Sequence, residues 1–288
     1  MDNVIKFKID GLENSELYLG HYFASNKNTI VDDTVQFNAK GIGISEDDEP
    51  LPGGMYFIYF DGKLFNIIID DEQRFTIESD TTNFTENIKI KGSEQNKVFY
   101  EYQQFLTKQG EKAKEIRERY DAAKSEKEKK EIREEFKTLD KEVKQRIDQI
   151  IGQYPKSFLA AYLKATKDVE MPGKKPDTDD ENWGYNYYKR HYFDNFEITD
   201  TRLLLTPVYE NKIQKYIEFL VQKANEEKKS LLATMTNNIN EKPFNKKGAK
   251  EFIDLIKDFK ENAQSKKTSD FVKYILDKTG ISNELKTD

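Results

Sequence analysis

The stretch NIKIKGSEQNKVFYEY (Asn87–Tyr102) decides how the chain is read. Its first half alternates polar and apolar residues, as a strand does. After Gly92-Ser93 the apolar residues Val98, Phe99, Tyr102, Phe105 and Leu106 recur at helical spacing. Ser93 is a natural N-cap, and Glu94 in the first turn suits the helix dipole. The chain therefore changes class at residue 92, with β structure before and helix after.

Working back from that point, the runs Val4–Ile9, Glu16–Phe23, Thr34–Asn38, Met55–Phe60, Lys63–Ile69, Arg74–Ser79 and Asn87–Lys91 are rich in β-branched and aromatic residues. Asp10-Gly11, Lys40-Gly41, Pro52-Gly53-Gly54, Asp61-Gly62 and Asp70-Asp71 punctuate them. Asp61-Gly62 between two apolar runs is a type I′ hairpin signal. Gly41-Ile42-Gly43 reads as a bend, and Glu46–Glu49 as a solvated turn. An antiparallel β-sandwich or barrel is expected for residues 1–92.

Working forward, a helix runs to about Ala122, and Ser125-Glu126-Lys127-Glu128 has capping-box form. The next helix carries a seam of Ile132, Phe136, Leu139, Val143, Ile147 and Ile150 before Gly152 and Pro155 end it. Two helices of about 28 residues, each ~42 Å long, joined by a short break, predict an antiparallel hairpin over 93–154. The seam makes the hairpin a candidate surface for a second copy or another protein. An α-helical unit is expected over 155–288. It holds a short helix at 157–168, a polar loop at 171–180, and a helix opened by Thr206-Pro207 with Val208, Ile213, Tyr216, Ile217, Leu220 and Val221 on one face. Two tail helices carry Ile253, Ile256 and Phe259, then Phe271, Tyr274 and Ile275. The fold class is α+β, with 236–288 set apart as a tail.

Composition limits the chemistry. The 288 residues contain no Cys and two His, which excludes disulfides, thiolate ligands and a dithiol redox pair within the chain. Residues 1–92 hold 8 Lys+Arg against 17 Asp+Glu, which disfavours nucleic acid. There is no apolar run of membrane-spanning length. Met1-Asp2-Asn3-Val4 has neither the basic nor the apolar region of a signal peptide. No phosphate loop, nucleophile elbow or zinc-protease motif occurs, and Asp177, Asp179, Asp180 and Glu181 lack cation-loop spacing. No cofactor, metal or catalytic residue is assigned. The candidate ligand residues are Trp183, Tyr185, Tyr187, Tyr188, His191 and Tyr192, a dense aromatic run suited to a glycan or peptide.

Two groups of residues carry a family resemblance. Gly20-His21-Tyr22, Gly53-Gly54-Met55-Tyr56 and Lys91–Tyr102 resemble the N-terminal β domain of bacterial cell-envelope thiol-disulfide oxidoreductases. Tyr187–Phe196 and Asp200–Val208 are similar to the helical domain that follows it in those proteins. In that family a thioredoxin-like domain carries the CxxC pair. Without cysteine, the resemblance implies a periplasmic, non-catalytic accessory region. Lys247–Ile281 is more similar to a helical subdomain of superfamily 1 DNA helicases, although the ATP-binding motifs are missing.

Overall fold

A computed structural model describes residues 3–177 and 180–234. The strands are β1 (Asn3–Asp10), β2 (Glu16–Phe23), β3 (Ser25–Gln36), β4 (Ile42–Asp47), β5 (Gly54–Phe60), β6 (Lys63–Ile69), β7 (Arg74–Asp80) and β8 (Lys89–Lys91). They form two open four-stranded sheets, ordered β4-β1-β7-β8 and β3-β2-β5-β6. Period-2 alternation explains β1: Ile5, Phe7 and Ile9 are buried, while Lys6, Lys8 and Asp10 face water. Asp61 and Gly62 both take positive φ, so the β5–β6 turn is of the expected I′ kind.

Three expectations for this region need correction. β1 and β7 pair in parallel, so the first sheet is mixed and not wholly antiparallel. The segment 42–47 is a strand instead of a bend leading to a turn, and it pairs with β1. Its inward positions are Gly43 and Ser45, and a Cβ on Gly43 would sit 2.6 Å from the Val35 side chain. The strand packs through backbone, so it shows no apolar alternation. Finally, Asn87 ends a four-residue helix, α1 (Phe84–Asn87), and only Lys89–Lys91 extend as β8. Phe84 is buried against Phe65, with ring centroids 4.2 Å apart.

Helices α2 (Glu94–Ala122) and α3 (Glu126–Gln153) form the hairpin. Ser93 and Ser125 cap them as read, accepting from the N–H groups of Asn96 and Glu128. The Glu128 carboxylate reaches back to the N–H of Lys124, one residue short of the reciprocal box. The seam splits inside the chain. Ile132, Phe136 and Leu139 pack against Ile116, Tyr120 and Ala123 near the hairpin tip, while Ile147 and Ile150 join the main core. Of the stripe named as a candidate partner surface, these five residues pack inside the chain, and Val143 joins neither cluster. No helix of the described residues is long and apolar enough to cross a membrane.

Strand β6 is a sheet edge, and α2 closes it. Asn96, fully buried, receives the Ile68 N–H at 2.7 Å and donates to the Ile68 carbonyl at 2.6 Å. One helical turn on, the Tyr100 hydroxyl donates to the Asn66 carbonyl at 2.9 Å. Four helical residues rise about 6 Å and two strand residues about 6.6 Å, so the two side chains match the spacing of the outward-facing backbone. An edge that would otherwise invite another strand is satisfied internally.

The remaining described elements are α4 (Phe158–Thr166), α5 (Trp183–His191), a 3-10 turn at Thr201–Leu205 and α6 (Val208–Thr234). Thr206 does not cap α6: its hydroxyl donates to the Leu203 carbonyl. Ala24, in the one-residue turn between β2 and β3, contacts this region through backbone. Its N–H donates to Leu204 and its carbonyl accepts from Glu210 in the first turn of α6. One core accordingly runs from the sheets through Phe158, Leu163, Leu203 and Tyr209. The Val221 side chain and the tail residues from Ile253 to Ile275 lie outside the described residues.

Candidate functional site

Asp180 starts α5. One carboxylate oxygen accepts from the Asn182 N–H and the other from the Asn186 side chain, so this member of the acidic loop orders the helix that follows. Among the described residues, no group of three His, Cys, Asp or Glu is placed to hold a metal ion.

Helical geometry divides the six candidate residues. Trp183, Tyr187 and His191 follow at i, i+4 and i+8 and lie on one line. Their ring centroids are 5.4 Å and 4.2 Å apart in turn, and all three are partly exposed. Asp194 closes the line by accepting at 2.7 Å from His191 Nδ1. Tyr185, Tyr188 and Tyr192 point instead to α6. Tyr185 stacks on Phe219 at 5.0 Å, Tyr188 meets the same ring at 4.5 Å, and Tyr192 meets Tyr216 at 4.9 Å. Tyr192 is buried, its hydroxyl donates to the Lys212 carbonyl, and burial pushes its pKa up. The single aromatic cluster read from the sequence is thus two sets: a helix–helix seam and a partly exposed ladder.

The structure adds residues that sequence reasoning did not single out. Lys212 is 5 % exposed. Its ammonium donates to the Lys167 carbonyl at 2.6 Å and lies over the Tyr192 ring, and burial lowers its pKa. Its sequence neighbourhood, Asn211-Lys212-Ile213, looks like an ordinary wet helix face. By sequence, Asp70 is one half of the Asp70-Asp71 turn signal. Its carboxylate instead accepts from Gln95, from the Phe158 N–H and from Arg202.

The residues that carried the family resemblance prove to be contact residues. A Cβ on Gly53 would sit 2.9 Å from Asp70 Oδ1 and 3.0 Å from Arg202, and one on Gly54 would sit 2.5 Å from Leu205 Cβ. His21 bonds Asp32 at 2.7 Å beside Tyr56. Asn96 and Tyr100 close the β6 edge. The first motif group therefore packs against the second.

A domain family described as a domain of unknown function, DUF5106, matches residues 119–279. The match begins inside α2 and takes in 247–279, most of the stretch likened above to a helicase subdomain. No curated protein and no solved structure matches the chain. Nothing in these comparisons connects it to thiol-disulfide oxidoreductases. Since the match takes in more than half of the sequence, the chain belongs to the DUF5106 family.

Proposed function

We propose that this protein works by contact and not by turnover: a non-catalytic accessory module that holds a peptide or protein partner. The observation that carries this reading is the Trp183–Tyr187–His191 ladder, partly exposed and without a ring contact to α6, beside rings that pack on α6. Aromatic side chains present large, stiff contact area at low entropic cost, which suits a binding surface. Attachment to a cell-envelope thiol-disulfide oxidoreductase, and with it a periplasmic location, is the finer part of the proposal. Its support is that the two resembling segments meet in space, Gly54 against Leu205.

A glycan is the second reading. Sugars stack on open ring faces, whereas the ladder rings turn part of their faces to each other, at interplanar angles of 35° and 34°. That favours a peptide. Trp183 is the sole tryptophan, so its fluorescence reports this site alone. Titration with unstructured peptides should quench it saturably, and Tyr187→Ala should abolish the effect. Quenching by oligosaccharides alone would reverse the preference, and turnover of a substrate by the purified chain would end the non-catalytic reading.

A further inference from the structure

An open pocket of about 510 Å³ lies at the end of the two sheets, where the β1–β2 loop, the β5–β6 turn and Thr81 after β7 meet. We infer that it is a docking site for an arginine side chain of a partner protein. This inference goes beyond the ladder reading and does not depend on it.

The pocket's apolar wall follows from strand register. Tyr18 of β2 lies directly opposite Tyr59 of β5, so the two rings stand on one face, with centroids 6.3 Å apart. Leu64 of β6 lies opposite Tyr59 on the other side. The next row on this face, Gly20 and Phe57, is buried. Tyr59 and Leu64 are 40 % and 46 % exposed, so the apolar face comes to the surface here.

Its charge follows from the flanking residues. Glu16, two residues before Tyr18, and Asp61, two after Tyr59, line the same pocket. Among the described residues, none of those lining it is Lys or Arg. The Glu16 carboxylate accepts from the Tyr18 hydroxyl and the Gln36 side chain, both neutral, and these bonds hold its pKa below the ordinary carboxylate value. Asp61 sits at the hairpin tip, and among the described residues its carboxylate has no hydrogen-bond or ion-pair partner. Lys63, beside the pocket, turns its ammonium to the Thr81 carbonyl at 2.8 Å. The Asp10–Glu16 segment adds Asp10 and Glu13 and contains no Lys or Arg. Two carboxylates thus share the pocket with no cation between them, and an incoming cation relieves their repulsion.

The mixture of rings and carboxylates selects a guanidinium. Among the described residues, no third His, Cys, Asp or Glu joins the pair to hold a metal ion. A lysine ammonium is a compact, strongly hydrated charge. A guanidinium is planar and weakly hydrated: it stacks on exposed tyrosine rings, and its fork of N–H donors reaches two carboxylates at once. The apolar stem of the arginine lies along the ring and leucine surface.

The test uses the full chain and the capped peptide Gly-Gly-Arg-Gly-Gly, followed by amide NMR shifts. The Arg peptide should shift the Tyr18 and Tyr59–Gly62 amides saturably. Its citrulline counterpart, the same shape without the charge, should not, and the Lys peptide should bind about threefold more weakly. Glu16→Gln and Asp61→Asn should each weaken Arg binding about threefold. Both keep the side-chain shape, and asparagine suits the positive φ of Asp61, so these variants should fold. Tyr59→Ala should lose about as much and Tyr59→Phe should not. Glu46→Gln, opposite Val4 at the far end of β1, should change nothing. Equal shifts by the citrulline peptide, parity of Lys with Arg, or undiminished binding by the Glu16 and Asp61 variants would each overturn the inference. So would an equal loss in Glu46→Gln, which would mark a diffuse field, or displacement of the peptide by calcium at matched ionic strength, which would mark a metal site. Trp183 quenching in the same variants should be unchanged, so this site and the ladder can fail separately.

Discussion

The Arg202 guanidinium stands 3.2 Å from the Asp70 carboxylate, 132 residues away in sequence, and the same carboxylate accepts from Gln95 and from the first turn of α4. One acidic side chain at the end of β6 thereby gathers α2, α4 and the 3-10 turn. Asp70 is about one-tenth exposed. Arg202→Met should cost about 2–4 kcal/mol, because the remaining carboxylate stays buried without its countercharge. Urea denaturation of the variant measures this. A loss below about 0.5 kcal/mol, the level of a surface pair, would show the hub to be incidental.

The β6 edge gives a second expectation. Asn96→Ala strands both the N–H and the C=O of Ile68, at a cost of about 2–4 kcal/mol, whereas Tyr100→Phe, which frees one carbonyl, should cost about 1 kcal/mol. Hydrogen exchange should report the difference locally: the Ile68 amide should lose protection in Asn96→Ala and keep it in Tyr100→Phe.

Gly54 should not tolerate alanine. The added Cβ would meet Leu205 Cβ at 2.5 Å, so Gly54→Ala should lose about 1–3 kcal/mol by overpacking. In the Gly54→Ala, Leu205→Ala pair the two losses should fall short of additivity, since the second change opens the space the first requires. Strict additivity would place the clash elsewhere.

Alkaline pH should destabilise the fold. Burial pushes Tyr22 and Tyr102 up to about 12 from the ordinary 10.0. Between those values the unfolded chain has released these protons and the folded chain has not. Their contribution is therefore complete below pH 10 and disappears as pH rises toward 12. Lys212 acts in the opposite direction, because its lowered folded pKa makes stability rise as pH approaches the unfolded lysine value. Denaturation midpoints across this range, with 295 nm absorbance for tyrosinate, separate the two. Tyr102→Phe should flatten the fall above pH 10, and Lys212→Met should remove the rise below about 10.5.

What could be read from sequence was what local chemistry dictates. Ser93 and Ser125 cap, Asp61-Gly62 turns, and the 93–154 hairpin forms, because each signal lies within a few residues of its effect. What could not be read depended on partners far away. β4 turns Gly43 and Ser45 inward and so carries no apolar alternation. Residues 26–32 of β3 are nearly all exposed and show no wet and dry face. Asp70 looked like half of a turn because its partners lie 25, 88 and 132 residues on. The aromatic run was legible as a cluster, but its division was not: separating Tyr188 from Tyr187 requires knowing that 183–191 is a helix and that Phe219 lies opposite.

Ala24 bears on how the molecule can be cut. At φ 57° it holds a left-handed turn with backbone bonds to Leu204 and Glu210. A fragment ending at Lys91 would present that hairpin tip with both bonds broken and the β6 edge bare. Expressed alone, it should aggregate or remain unfolded, and the strand half and the helical half should be inherited, exchanged and purified as one piece.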